Sequence, residues 1–165
     1  MSAALKIALI GSGSMGKNHA RVISTVESTD LAFVIDPDEA SGRRTADAFG
    51  ATWLPEISRL DEVDAAVIAA PTEYHHDLAQ QVIEARLPLL VEKPVCPSLA
   101  QTQELVDASR QADTPLMCGF LERFNPAVVV ALRMIEAPVY VRSTRHSPYA
   151  PRIKTGVAWD LLVHD

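Results

Sequence analysis

Cysteine, positive charge and long apolar runs are all scarce in this sequence, and each shortage removes a class of protein. Only Cys96 and Cys118 are present, with 21 residues between them and no CxxC. Neither a zinc knuckle nor a disulfide framework is therefore expected, and both read as buried thiols. Acidic residues outnumber basic ones, 21 to 15, for a net charge of −6. That balance argues against nonspecific binding to nucleic acid or an anionic membrane, while leaving room for a local basic pocket. No apolar stretch approaches the roughly 18 residues a membrane span needs, and the N-terminus enters a strand pattern without a signal-peptide pattern. No span and no secretion are expected, with a soluble cytoplasmic protein as the default. Nothing reads as disordered or low-complexity, and 165 residues allow one domain plus part of another.

What is present organises itself around the first stretch. An apolar run over residues 5–10 stops at three glycines spaced GxGxxG: Gly11, Gly13 and Gly16. The pattern predicts a strand, a tight turn and the start of a helix. Backbone can then approach a pyrophosphate without Cβ interference, and the N–H groups of Ser14, Met15 and Gly16 become donors for it. A second apolar run, residues 31–35, ends in Asp36. It lies about 20 residues past the glycines, where a dinucleotide fold places the carboxylate that accepts hydrogen bonds from the adenosine ribose. A carboxylate there repels a 2′-phosphate and favours NAD, although Arg43 and Arg44 keep NADP open. Residues 11–17 also fit most of a phosphate-binding GxxxxGK loop. Asn18 breaks that match, because such a loop needs Ser or Thr after its Lys to reach a metal.

Helical spacing predicts a helix over 15–27 with Ala20, Val22, Ile23 and Val26 on its apolar face, and His19 one turn inside as a packing residue. A polar helix from Pro37 and Asp38 to Phe49 is closed by Gly50, followed by a strand over 51–54 and a helical turn from Pro55. Residues 63–70 form a near-continuous apolar run ending at Pro71, as expected of an interior parallel strand. Its end is expected to face the cofactor, making Pro71, Thr72 and His75 candidate contacts. Thr72 is a candidate N-cap for a helix carrying Leu78, Ala79, Val82, Ile83 and Ala85. His75 and His76 point about 100° apart on that helix and cannot both face one ion, so no metal site is expected.

A strand over 87–91 runs into Glu92-Lys93-Pro94. A Lys at the carboxyl end of a buried strand lies where this fold does chemistry, with Glu92 beside it as a further cofactor contact. A positively charged nicotinamide nearby would lower the Lys93 pKa and suit it to proton transfer. A helix over 98–112, with Leu99, Leu105, Val106 and Ala108 inward, and a strand over 115–120 complete the alternation. The expected fold is α/β, a Rossmann doubly wound parallel sheet with helices on both faces, over residues 1–120. Residues 121–165 read as the truncated start of a second, substrate and oligomerisation domain of α+β type. It holds a linking helix over 123–136, a strand over 139–146 without a partner, and a Pro-rich loop. The chain stops inside a helix-like pattern, which suggests a fragment.

These residues together resemble the glucose-fructose oxidoreductase / inositol dehydrogenase (Gfo/Idh/MocA) family. The marks are Gly11-x-Gly13-x-x-Gly16 with His19 three residues on, Pro71-x-x-x-His75, Glu92-Lys93-Pro94, Arg123-Phe124-Asn125-Pro126 and Asp160-x-x-x-His164. The resemblance implies an NAD-dependent dehydrogenase acting on a sugar, cyclitol or nucleotide sugar. It implies Lys93, Asp160 and His164 as catalytic residues: His164 the general base, Lys93 polarising the substrate hydroxyl, Asp160 orienting the substrate, with no metal. Residues four apart share a helical face, so Asp160 and His164 can converge on one substrate. The segment from Arg145 to Leu161 looks most like branches acting on UDP-N-acetylglucosamine, where Arg145 and Arg152 would grip a diphosphate. The family continues into a large sheet that closes the pocket and forms an oligomer interface. Cofactor binding with little turnover is thus expected of this stretch alone, and a homo-oligomer of the full-length protein. Two other readings stay open: a non-catalytic, sugar-sensing regulator, and an interaction module pairing through the strand at 139–146.

Overall fold

The computed structural model describes residues 3–142 and 144, which fall into two compact units, Met1–Cys118 and Gly119–Asp165. In the first, β1 (Leu5–Ile10), α1 (Ser14–Thr25), β2 (Thr29–Ile35), α2 (Glu39–Phe49), β3 (Thr52–Leu54), β4 (Ala65–Ile68), α3 (His75–Glu84), β5 (Leu89–Val91), α4 (Leu99–Gln111) and β6 (Leu116–Cys118) follow in sequence. The six strands form one sheet in the order β3-β2-β1-β4-β5-β6, and every pair is parallel. This is the doubly wound order, in which the connections after β1 and β4 leave in opposite directions and open a crevice between those strands' carboxyl ends.

Alternation along β1 sends Ala8 and Ile10 to one face and Ile7 and Leu9 to the other, so the sheet carries a core on each side. Val82, Ile83 and Leu105 cover the first face and Ala20, Ile23 and Ala46 the second. On β2 the alternation is broken once: Leu31 joins the second core, but Phe33 joins the first. A register shift between Ile7 and Ala8 leaves Ala32 as an extra residue, and such a bulge resets which face the following side chains reach.

Local signals explain most boundaries. The Asp38 carboxylate accepts from the Ala40 and Ser41 N–H groups to start α2, and Gly50 in left-handed conformation ends it. Ser98 caps α4 through the Gln101 N–H. Several expected details are corrected. On α1 the buried stripe is Gly16, Ala20 and Ile23, so Val22 points off it and Val26 lies past the last turn; both are exposed. Thr72 is not an N-cap: a 3-10 turn, Thr72–Tyr74, intervenes and α3 begins at His75. The helical turn expected at Pro55 forms instead at Leu60–Glu62. Leu99 and Ala85 are exposed at helix ends, and Cys118 is only half-buried while Cys96 is buried.

In the second unit a 3-10 turn, Leu121–Phe124, precedes α5 (Pro126–Met134). The single helix expected over 123–136 is split because Pro126 has no N–H to give a preceding turn and instead occupies the first helical turn, capped by Asn125. Residues 139–142 and 144, the described part of the expected strand over 139–146, are not in a strand. Extended backbone without a neighbouring ladder has no partner for its polar groups. Arg145, Arg152, Asp160 and His164 lie outside the described residues.

Candidate functional site: a dinucleotide crevice at the carboxyl edge of the sheet

The glycine turn is built from three distinct contacts. Gly11 has φ +97°, and a Cβ there would stand 2.5 Å from the Ala70 nitrogen, so the turn lies directly against the end of β4. A Cβ on Gly16 would collide with the Gly11 carbonyl oxygen, which means α1 leaves the strand as closely as backbone allows. Gly13 differs: a Cβ there would meet nothing within 4 Å. It is also the N-cap of α1 and supplies no side-chain partner to the N–H groups that follow. Open space in front of unpartnered helix-opening donors is what a pyrophosphate needs, so these residues fit a dinucleotide.

Asp36, at the end of β2, is fixed before any ligand arrives. Its Oδ2 accepts from the Ser12 N–H at 2.7 Å and from Ser12 Oγ at 2.6 Å, and its Oδ1 accepts from the Asp38 N–H at 2.9 Å. Ser12 is fully buried, and Ser41 Oγ lies 2.9 Å from its hydroxyl. Trp53 Nε1 donates to the Asp36 carbonyl at 3.0 Å. The acid thus belongs to a network joining the glycine turn, α2 and β3. Arg43, one of the two cations that kept NADP open, donates from Nε to Glu39 at 2.8 Å and stacks 4.5 Å over the Trp53 ring. Its guanidinium is engaged by a carboxylate and by an aromatic ring.

Across the crevice, the turn after β5 carries Glu92, Lys93 and Pro94, with a cis peptide bond between the last two. Glu92 is 5% exposed; its Oε1 is 2.8 Å from His19 Nε2 and its Oε2 accepts from the Lys93 N–H at 3.2 Å. Burial pushes the Glu92 carboxyl up, but His19 and Lys93 together outweigh it and hold the pKa below its ordinary value. Pairing with a carboxylate puts the His19 proton on Nε2. His19 is therefore a strut between the glycine helix and the Lys93 turn, a role its sequence position did not reveal.

His75 is corrected as a cofactor contact. Its ring is 1% exposed, with Nδ1 3.0 Å from the Pro94 carbonyl oxygen and 3.2 Å from that of Val95, and Nε2 2.8 Å from that of Ala70. Both nitrogens face backbone, so the side chain ties the end of β4 to the Lys93 turn and offers nothing to a ligand. His76 turns to Asp77 and to Glu104 of α4, at 3.0 Å each. Among the described residues, no three His, Cys, Asp or Glu side chains gather as a metal site, and no helix is long and apolar enough to cross a membrane. The structure brings Gly11, Gly13, Ser14, Met15, Gly16, Asp36, Pro71, Thr72, Glu92 and Lys93 to one edge of one sheet. Sequence reasoning missed Ser12, Ser41, Trp53 and the His19–Glu92 pair. A serine between the first two glycines was the available signal.

Sheet order, glycine turn and the acid ending β2 define an NAD-binding Rossmann domain. The model of the oxidoreductase family with NAD-binding Rossmann fold, GFO_IDH_MocA, matches residues 5–120, and the chain belongs to that family. It is 32% identical over 143 residues to inositol 2-dehydrogenase of Corynebacterium glutamicum, covering 83% of this chain and 42% of that protein. It is 27% identical over 164 residues to UDP-N-acetylglucosamine 3-dehydrogenase of Acidithiobacillus ferrooxidans, covering 98% and 52%. A crystal structure of the latter enzyme superposes with TM-score 0.91 at 26% identity, over 99% of this chain and 52% of that one. GenD2 from gentamicin A biosynthesis, solved in complex with NAD, superposes with TM-score 0.78 at 34% identity, over 81% and 39%. The chain thus spans about half the length of the curated relatives it matches.

Proposed function

We propose that the protein is an NAD-dependent dehydrogenase that moves a hydride between the carbinol carbon of a sugar, cyclitol or nucleotide sugar and the nicotinamide. The observation that carries the reading is Lys93. It is the residue after Glu92 at the carboxyl end of β5, and that turn is tied to the glycine helix through His19. An ammonium group there lies at the edge where this fold binds ligands. NAD supplies the hydride acceptor when bound. Gly11, Gly13 and the N–H groups of Ser14, Met15 and Gly16 hold its pyrophosphate, and Asp36 accepts from the adenosine ribose. Pro71 and Thr72, beyond β4, border the path between the two ends. Lys93 polarises the substrate hydroxyl, His164 removes its proton and Asp160 orients the ring.

The named relatives support a polyol or nucleotide-sugar substrate, since they include inositol 2-dehydrogenases and a UDP-N-acetylglucosamine 3-dehydrogenase. We assign the second class, with Arg145 and Arg152 gripping the diphosphate. A titration with NADH and NADPH, followed by nicotinamide fluorescence, tests the cofactor half. NADH is expected to bind preferentially and Asp36→Ala to weaken it, whereas equal or absent binding of both would refute the assignment. On the full-length enzyme, turnover of UDP-N-acetylglucosamine that Lys93→Ala abolishes tests the rest; turnover of free inositol alone would move the protein to the other class.

A further inference from the structure

We infer that Glu92, held as a carboxylate by His19 Nε2 and the Lys93 N–H, sets the preference of the site for the oxidised over the reduced cofactor. The inference rests on the NAD reading and extends it to the redox state of the nicotinamide. In the sheet order, Asp36 ends the strand on one side of β1 and marks the adenosine end. Glu92 follows β5, two strands to the other side of β1, where the second half of a dinucleotide lies. His19 stands three residues past Gly16, so its contact with Glu92 ties the carboxylate to the helix whose first N–H groups are the pyrophosphate donors.

The carboxylate is 5% exposed, which leaves little water to screen it. The oxidised nicotinamide carries a positive charge that the reduced ring lacks. A buried negative charge at that end of the crevice therefore stabilises one form and is nearly indifferent to the other. His19 and Lys93 are the groups that face Glu92. For the same charge on His19 in both proteins, replacing Glu92 by Gln makes the pair one unit more positive, which weakens binding of the oxidised form relative to the reduced one. Asp36 at the opposite end presents its charge to hydroxyl groups that do not change on reduction, and no such bias is expected of it.

The test is the ratio of the Kd for NAD+ to that for NADH, with NADH followed by fluorescence and NAD+ by displacement, on the full chain at neutral pH. In Glu92→Gln the ratio is expected to rise at least about threefold, the size a nearby buried unit charge gives at moderate screening. A purely structural role would weaken both forms together and leave the ratio unmoved. His19→Lys, which keeps the carboxylate and sets a permanent charge against it, is expected to raise the ratio in the same direction and guards against misfolding of the first variant. A ratio within about 1.5-fold of wild type in folded forms of both variants, too small for a neighbouring buried charge, overturns the inference while leaving the NAD reading intact. Failure of the wild-type chain to bind either form overturns both.

Discussion

Two carboxylates stand on opposite sides of the crevice, and they are held in opposite ways. Asp36 is half-buried and takes its donors from the backbone and hydroxyl of Ser12 and the backbone of Asp38. These are neutral groups within the glycine turn and the start of the following loop. Glu92 is buried and takes one of its donors from His19, an ionisable side chain on a helix 73 residues away in sequence. The first arrangement fixes an acceptor's direction without cancelling its charge, which suits discrimination between a ribose hydroxyl and a phosphate. The second keeps an acid ionised in a dry place, as the proposed bias toward the oxidised cofactor requires. Similar functional groups on the two sides of one crevice are thus held by different kinds of donor.

The largest effect is expected in the core, on the strand that leads into the glycine turn. Leu9, fully buried on the central strand, is expected to cost about 2–5 kcal/mol on truncation to Ala, read as a lower Tm with both ends of the site loosened together. Next, Asp36→Ala strips the Ser12 N–H and hydroxyl of their acceptor. It is expected to weaken NADH binding by about 10-fold or more, in line with 1.5–3 kcal/mol for bonds to a charged group, and to lower Tm. Calorimetry and fluorescence titration measure the two effects separately.

Acid should separate the two ends of the crevice. The Glu92 pKa is lowered from its ordinary value of 4.5, so the stabilisation it brings is fully present above that value and is lost as the pH falls through the lowered folded value. The stability gap between wild type and Glu92→Gln, from denaturant unfolding, is expected to close as the pH falls below about 4.5. A gap that stayed open below about pH 4 would contradict the lowered Glu92 pKa. The smallest effect belongs to Trp53→Phe, which removes one donor from the Asp36 carbonyl. A loss of about 1 kcal/mol is expected, with the preference between NAD+ and NADH unchanged.

The sheet was legible because each strand carries its own signal: an apolar run of the right length with a Gly or Pro near at least one end, and helices capped by Asp38, Ser98 and Gly50. The places where expectation failed are those where a neighbour decides. Val22 and Leu99 are apolar yet exposed, since helix spacing gives a face but not its width. Thr72 lost its cap to a 3-10 turn that turns the chain from Pro71 toward α3. His75 read as a ligand contact because it follows a strand end at the right distance. Its burial behind three backbone carbonyls depends on where the Lys93 turn falls, which no local pattern contains.

By itself, then, the sequence determined the order of elements, the glycine turn and the acid that ends β2. These depend on spacing within a single strand–turn–helix unit, where steric and hydrogen-bonding needs are local. Only the tertiary structure decided that Ser12 fixes Asp36, that Arg43 stacks on Trp53, and that His19 reaches Glu92. Each joins residues 24 or more apart, or depends on an aromatic ring from another strand. Such contacts exist only once parallel strands are stacked in the order β3-β2-β1-β4-β5-β6 and their carboxyl ends share one edge.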